Sequence, residues 1–161
     1  MFDFYPAEQG SKVELYQDLL SAAEAVTRGE PDIIANMANV AALIWQFLPD
    51  LNWAGFYRMV ADELVLGPFQ GKPACIRIAL GKGVCGTAAA TAQTQLVKDV
   101  HSFPGHIACD AASASEIVVP VIVKDRVMAV LDLDSPSLGR FDAVDQQGLE
   151  ALIARIGTRI A

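Results

Sequence analysis

Two apolar stretches, Ile117 to Val123 and Val127 to Leu133, are separated by only Lys124-Asp125-Arg126. A connection that short joins antiparallel neighbours, because a parallel crossover needs about a dozen residues or more. The same pattern occurs earlier. Trp53 to Met59 reads as a strand with residues 53, 55, 57 and 59 on one face, Asp62 sits at a turn, and Glu63-Leu64-Val65-Leu66 returns as the partner. Gly67 and Pro68 are expected to stop that second arm. Two such hairpins commit the chain to a mostly antiparallel sheet whose apolar faces helices must cover.

The helices are legible from caps and spacing. Ser11-Lys12-Val13-Glu14 reads as a capping box, followed by Leu15, Tyr16, Leu19, Leu20, Ala23 and Val26 at helical intervals. Gly29 ends that helix, and Pro31 suits the first turn of the next. Ile33, Ile34, Met37, Val40, Ala41, Ile44 and Phe47 are expected on its buried side. So apolar a helix lies deep in a core or under a partner chain. Ala74 to Leu80 alternates as a further strand, placing Cys75, Arg77 and Ala79 on one face. Val84 to Thr91 is alanine-rich and reads as a short helix, and Gln95 to Val100 as a strand. Pro120 requires its strand to be an edge or bulged there. Asp142 caps a last helix with Leu149, Leu152, Ile153 and Ile156 as its stripe. The fold class is α+β, in a single domain spanning residues 1–161.

Composition narrows the function. A net charge of −7 argues against nucleic acid as the main partner. No apolar run approaches the roughly 20 residues that span a bilayer, so no membrane association is expected. Met1-Phe2-Asp3-Phe4-Tyr5-Pro6 lacks the basic start of a signal peptide, which points to a cytoplasmic protein with reduced thiols. The three cysteines, Cys75, Cys85 and Cys109, are too far apart for a paired-ligand zinc turn. His106 and Cys109 alone have a metal-like spacing, so no metal is expected. Gly81-Lys82-Gly83 lacks the lysine and Ser/Thr pattern of a P-loop.

Thiols, imidazoles and carboxylates nonetheless crowd one half of the chain. The irregular stretch from His101 to Ser115 is long for a compact fold and holds both histidines and Cys109. A thiol there, near imidazoles or free backbone amides, has its pKa lowered toward a reactive thiolate. Cys75 on a strand and Cys85 in a helix are read equally well as small buried hydrophobes. Asp132 and Asp134 share a strand face, with Glu116 near the start of the preceding strand. They form either a solvated strand end or a site for a cationic group. Trp53 and Tyr57 share a face and either fill the core or wall a pocket. Three cysteines allow three pairings, and the residues alone do not choose among them.

Leu51-Asn52-Trp53-Ala54-Gly55-Phe56-Tyr57, Leu66 to Cys75, Gly83-Val84-Cys85-Gly86, Val119-Pro120-Val121 and Leu131-Asp132-Leu133-Asp134-Ser135 together resemble the free methionine-(R)-sulfoxide reductases, a family built on a GAF-type domain. The resemblance covers nearly the whole chain. It implies a GAF-like, mostly antiparallel central sheet with helices on its faces. It also implies a nucleophilic Cys109, a resolving Cys75 and an auxiliary Cys85. Glu116, Asp132 and Asp134 would bind and protonate free methionine-(R)-sulfoxide, and Trp53 and Tyr57 would wall its side chain. Thioredoxin as reductant, a homodimer, and no organic cofactor follow from the same resemblance. GAF domains also serve as small-molecule sensors, so a binding or redox-sensing module without turnover is the alternative.

Overall fold

Among the described residues, four α-helices and six strands arise largely where local chemistry asks for them. The structure, a computed structural model, describes residues 3–7, 10–105 and 111–161. Helix α1 (Lys12–Val26) starts at Ser11, whose hydroxyl accepts from the Glu14 amide while the Glu14 carboxylate accepts from the Ser11 amide. Helix α2 spans Ile33–Phe47. Its start is set by Asp32, whose carboxylate accepts from the amides of Ile34 and Ala35. Pro31 therefore lies before the cap and not in the first turn. Helix α3 spans Gly83–Thr91, and α4 (Ala143–Ile156) begins at a second capping box, Asp142 with Asp145.

The strands are β1 (Trp53–Val60), β2 (Glu63–Gly71), β3 (Arg77–Ala79), β4 (Gln95–Val97), β5 (Ser115–Val123) and β6 (Arg126–Ser135). They form one antiparallel sheet in the order β3-β2-β1-β6-β5-β4. Both hairpins turn through paired left-handed residues, Ala61-Asp62 and Lys124-Asp125. That geometry matches the twist of the strands it joins.

Several expectations are corrected. Gly67 and Pro68 do not stop β2. The strand absorbs them in a bulge, where the β1 register slips between Gly55 and Tyr57, and continues to Gly71. A proline is tolerated where ladder pairing is already interrupted. The strand expected over residues 74–80 shrinks to Arg77–Ala79, so Cys75 lies in the segment leading into it. The strand expected over 95–100 ends at Val97, and Val100–Ser102 form a 3₁₀ turn. Ile33 and Ile34 are 38% and 40% exposed and do not join the core. The Pro120 argument holds in a local sense: β4 pairs with β5 only at residues 116–118, so Pro120 lies beyond the end of its neighbour.

The sheet divides two apolar layers. On one face Ala54, Phe56, Ile117, Val119, Leu131 and Leu133 pack with Leu19, Val40, Ile44, Leu149 and Leu152 from α1, α2 and α4. On the other, Trp53, Tyr57, Leu64, Ile78, Val118 and Val130 pack with Val84, Cys85 and Ala88 of α3. Alternation along β1, β5 and β6 thus assigns each residue to a layer. The second layer carries the polar residues of interest.

Candidate active site

Register brings the site together. Across the antiparallel ladder Trp53 lies opposite Asp134, which lies opposite Glu116. One step along, Gly55 lies opposite Asp132, which lies opposite Val118. Glu116, Asp132, Asp134, Trp53 and Tyr57 therefore share one sheet face, drawn from three adjacent strands. Helix α3 packs over β5 and β6 on that face and lowers Cys85 onto the carboxylates. Its position is set by the glycine bend. The Gly81 amide donates to the Gly86 carbonyl at 2.8 Å, and the Lys82 amide donates to the Ala79 carbonyl at 3.1 Å. A Cβ on Gly86 would lie 2.4 Å from the Ala79 carbonyl oxygen, so only glycine permits this approach.

The aromatic wall is a three-ring stack. Trp53 is sandwiched between Tyr57, 5.8 Å away between ring centroids, and Phe69, 5.2 Å away. Phe69 lies in the family-like run Leu66 to Cys75 but has no expected role there, because Gly67 and Pro68 predict a strand that ends before it. Its approach needs Gly55, where a Cβ would lie 2.3 Å from the Phe69 Cβ. A small residue alternating with two aromatics on one strand face is the signal that points to it. Both inner rings also hold the chain that closes the pocket. Trp53 Nε1 donates to the Lys72 carbonyl at 3.2 Å, and the Tyr57 hydroxyl donates to the Cys75 carbonyl at 3.0 Å. The result is a narrow, nearly closed pocket, with a cavity of about 10 Å³, lined by Trp53, Tyr57, Lys72, Pro73, Ala74, Asp132 and Asp134. The segment 72–74 is the part of the lining that sequence reasoning assigned no role.

The carboxylates are not a solvated strand end. Glu116 and Asp132 are each 6% exposed, and Asp134 is half-buried. Burial pushes the Glu116 carboxyl well above its usual range, and the charges of Asp132 and Asp134 push it further. Burial also raises Asp132 to about 7, against hydrogen bonds from Cys85 and Glu116 that lower it. Desolvation is the leading cause for both carboxyls, and neighbouring negative charge adds to it at Glu116. Cys85 is fully enclosed, and burial followed by the Asp132 and Glu116 charges drives its thiol up. It is a neutral S–H donor here, in long contact with Glu116 Oε1 at 4.0 Å. The ligand atoms of Cys85, Glu116 and Asp132 all lie within 4.8 Å of one another, a spacing that could hold a metal ion. With the thiol and both carboxyls pushed up, the same set favours its protonated forms, which are poor metal ligands.

The three cysteines stand differently. Cys75 is half-buried and disulfide-bonded, while Cys85 is a free buried thiol. Cys109 and His106 lie outside the described residues. His101 is exposed on the 3₁₀ turn.

Comparison with known proteins agrees with this geometry. Residues 35–161 match the GAF domain family. The chain is 54% identical over 146 residues to the free methionine-R-sulfoxide reductase of Escherichia coli, covering 91% of this chain and 88% of that protein. It is 47% identical over 150 residues to the enzyme of the same name from Saccharomyces cerevisiae, covering 88% of this chain and 83% of that one. The crystal structure of free methionine-R-sulfoxide reductase from Neisseria meningitidis in complex with its substrate superposes with a TM-score of 0.95 at 42% identity, covering 99% of this chain and 96% of that one. The chain belongs to the GAF domain family and, within it, to the free methionine-R-sulfoxide reductases.

Proposed function

We propose that this protein reduces free L-methionine-(R)-sulfoxide to L-methionine through a thiol cycle. The observation that carries the reading is the pair of buried carboxyls, Glu116 and Asp132, beside the Trp53–Tyr57 wall. A sulfoxide sulfur becomes a good electrophile once its oxygen is protonated. A neutral carboxylic acid at physiological pH is what that step needs. Glu116, whose carboxyl is pushed up by burial and by the charges of both aspartates, is assigned as the proton donor. Asp132 and Asp134 are assigned to the substrate ammonium. The buried Asp132 Oδ1 has no hydrogen-bond partner among the described residues, which suits a charged N–H donor from a ligand. The stacked rings take the thioether chain.

In this cycle the Cys109 thiolate attacks the sulfoxide sulfur while the acid protonates the oxygen. Methionine departs and Cys109 is left as a sulfenic acid. The Cys75 thiol condenses with it, releasing water and forming a disulfide. The bonded state of Cys75 and the free thiol of Cys85 support the resolving role of Cys75. A dithiol such as thioredoxin returns two electrons by exchange. Cys85 is assigned as an auxiliary thiol that hydrogen-bonds the acids. No organic cofactor enters.

We also assign a cytoplasmic homodimer. Among the described residues no helix is long and apolar enough to cross a membrane. Ile34 and Trp45 on α2, eleven residues or three turns apart, form an exposed apolar stripe suited to a second copy.

The test is NADPH consumption with thioredoxin and its reductase, offering free methionine-R-sulfoxide, the S epimer and the peptide-bound form. Turnover on the first alone is expected. Cys109→Ser should abolish it, and Cys75→Ser should leave one turnover without recycling. A Cys109→Ser protein that cycles at the wild-type rate, or a chain that turns over none of the three, defeats the proposal.

A further inference from the structure

A disulfide that must be reduced by another protein needs a surface where that protein can sit. Cys75 is separated by Ile76 alone from β3, one of the two terminal strands of the sheet. The Leu66 amide donates to the Ile76 carbonyl at 2.9 Å, and Leu64 is paired with Ile78. Antiparallel strands alternate in the direction of their backbone groups. Ile76 and Ile78 therefore turn theirs toward β2, and Arg77 turns its N–H and C=O to the side where, among the described residues, the sheet has no further strand. Beside this open donor and acceptor, Ile76 is 69% exposed and Leu80 is 40% exposed. An apolar residue that exposed, next to a redox-active cysteine and on an unblocked strand border, is unusual for a solvated edge.

We propose that the outer border of β3 at Arg77, with the exposed Ile76 as its apolar anchor, is the docking strand for the dithiol protein that reduces the neighbouring Cys75 disulfide. The inference rests on the reductive cycle proposed above and names the surface that cycle uses. The partner adds its own extended segment to the border through the Arg77 amide and carbonyl, and covers Ile76. Its nucleophilic thiolate attacks Cys75 Sγ, forms a mixed disulfide and releases the bonded cysteine as a thiolate. The partner's second thiolate then attacks its own sulfur in that mixed disulfide and releases Cys75. The partner leaves oxidised by two electrons, and the two released thiolates take protons from solvent.

The test follows reduction of the oxidised protein, without any sulfoxide, by reduced thioredoxin and separately by dithiothreitol, reading the second-order rate constant of each. Ile76→Asp is expected to slow thioredoxin about tenfold, the effect of losing one buried aliphatic anchor. Dithiothreitol, which needs no docking strand, should stay within twofold. Ile122→Asp, at an exposed position on β5 (45% exposed), is expected to change neither. An Ile76→Asp protein reduced by thioredoxin at the wild-type rate overturns the proposal. So does one slowed equally with both reductants. Because no sulfoxide is present, failure of the catalytic reading registers in the turnover assay and not here.

Discussion

Asp132 faces two demands at once. Its Oδ1 is buried without a partner among the described residues, and burial raises its carboxyl to about 7, against 3.8 for the free group. As pH rises from about 4 to about 7, the unfolded chain loses this proton while the folded one keeps it. The folded state binds more protons over that window, so stability falls with rising pH and is level above it. Urea unfolding of the reduced protein should therefore give a larger free energy at pH 5 than at pH 8. Asp132→Asn should narrow that gap, by an amount on the order of a few kcal/mol. The same substitution should raise KM for the free amino acid sulfoxide about 10- to 100-fold, the cost of a lost charged hydrogen bond. Unchanged KM would remove Asp132 from the ammonium site. Glu116→Gln keeps the shape and removes the acid, so kcat should fall about 10²- to 10⁴-fold. A variant with wild-type kcat would move the proton donor elsewhere.

Among the elements, those governed by neighbours in sequence were legible and those governed by distant neighbours were not. Ser11 with Glu14, and Asp142 at the start of α4, announce their helices because a cap acts within three residues. Lys124-Asp125 likewise carries its turn within itself. Pro31 misled because Asp32 is the stronger local signal for a start. Gly67 and Pro68 misled because the bulge that accommodates them depends on Gly55 in another strand. The carboxylates were legible as a group, since period two places Asp132 and Asp134 on one face. Their depth was not, because it depends on α3 arriving over them. Phe69 was missed for the same reason as the bulge. Gly55→Ala tests that coupling: its Cβ would meet both the Cβ and the backbone Cα of Phe69, at 2.3 and 2.7 Å. It should destabilise the fold by about 1–3 kcal/mol in denaturant titration and disturb the Trp53–Phe69 stack seen in near-ultraviolet circular dichroism. A fully stable variant with an unchanged spectrum would show that the bulge can shift freely.

At the scale of the whole molecule, the sheet separates work from support. One face carries α1, α2 and α4 and most of the apolar mass; the other carries α3, the rings and the acids. The stripe on α2 belongs to neither. Ile34→Asp is expected to yield a monomer by light scattering, and a dimer of unchanged mass would place the contact elsewhere. The borders of the sheet are also unlike. β4 is three residues long and pairs with β5 only at residues 116–118, so among the described residues β5 beyond Val118 is paired with β6 on one side and has no strand on the other, and Pro120 stands in that stretch. A prolyl nitrogen has no hydrogen to offer, so a visiting strand finds its ladder broken at the first rung. Recruitment of other polypeptides is thereby given a direction: the molecule can be extended on its cysteine-bearing flank and resists growth on the opposite one.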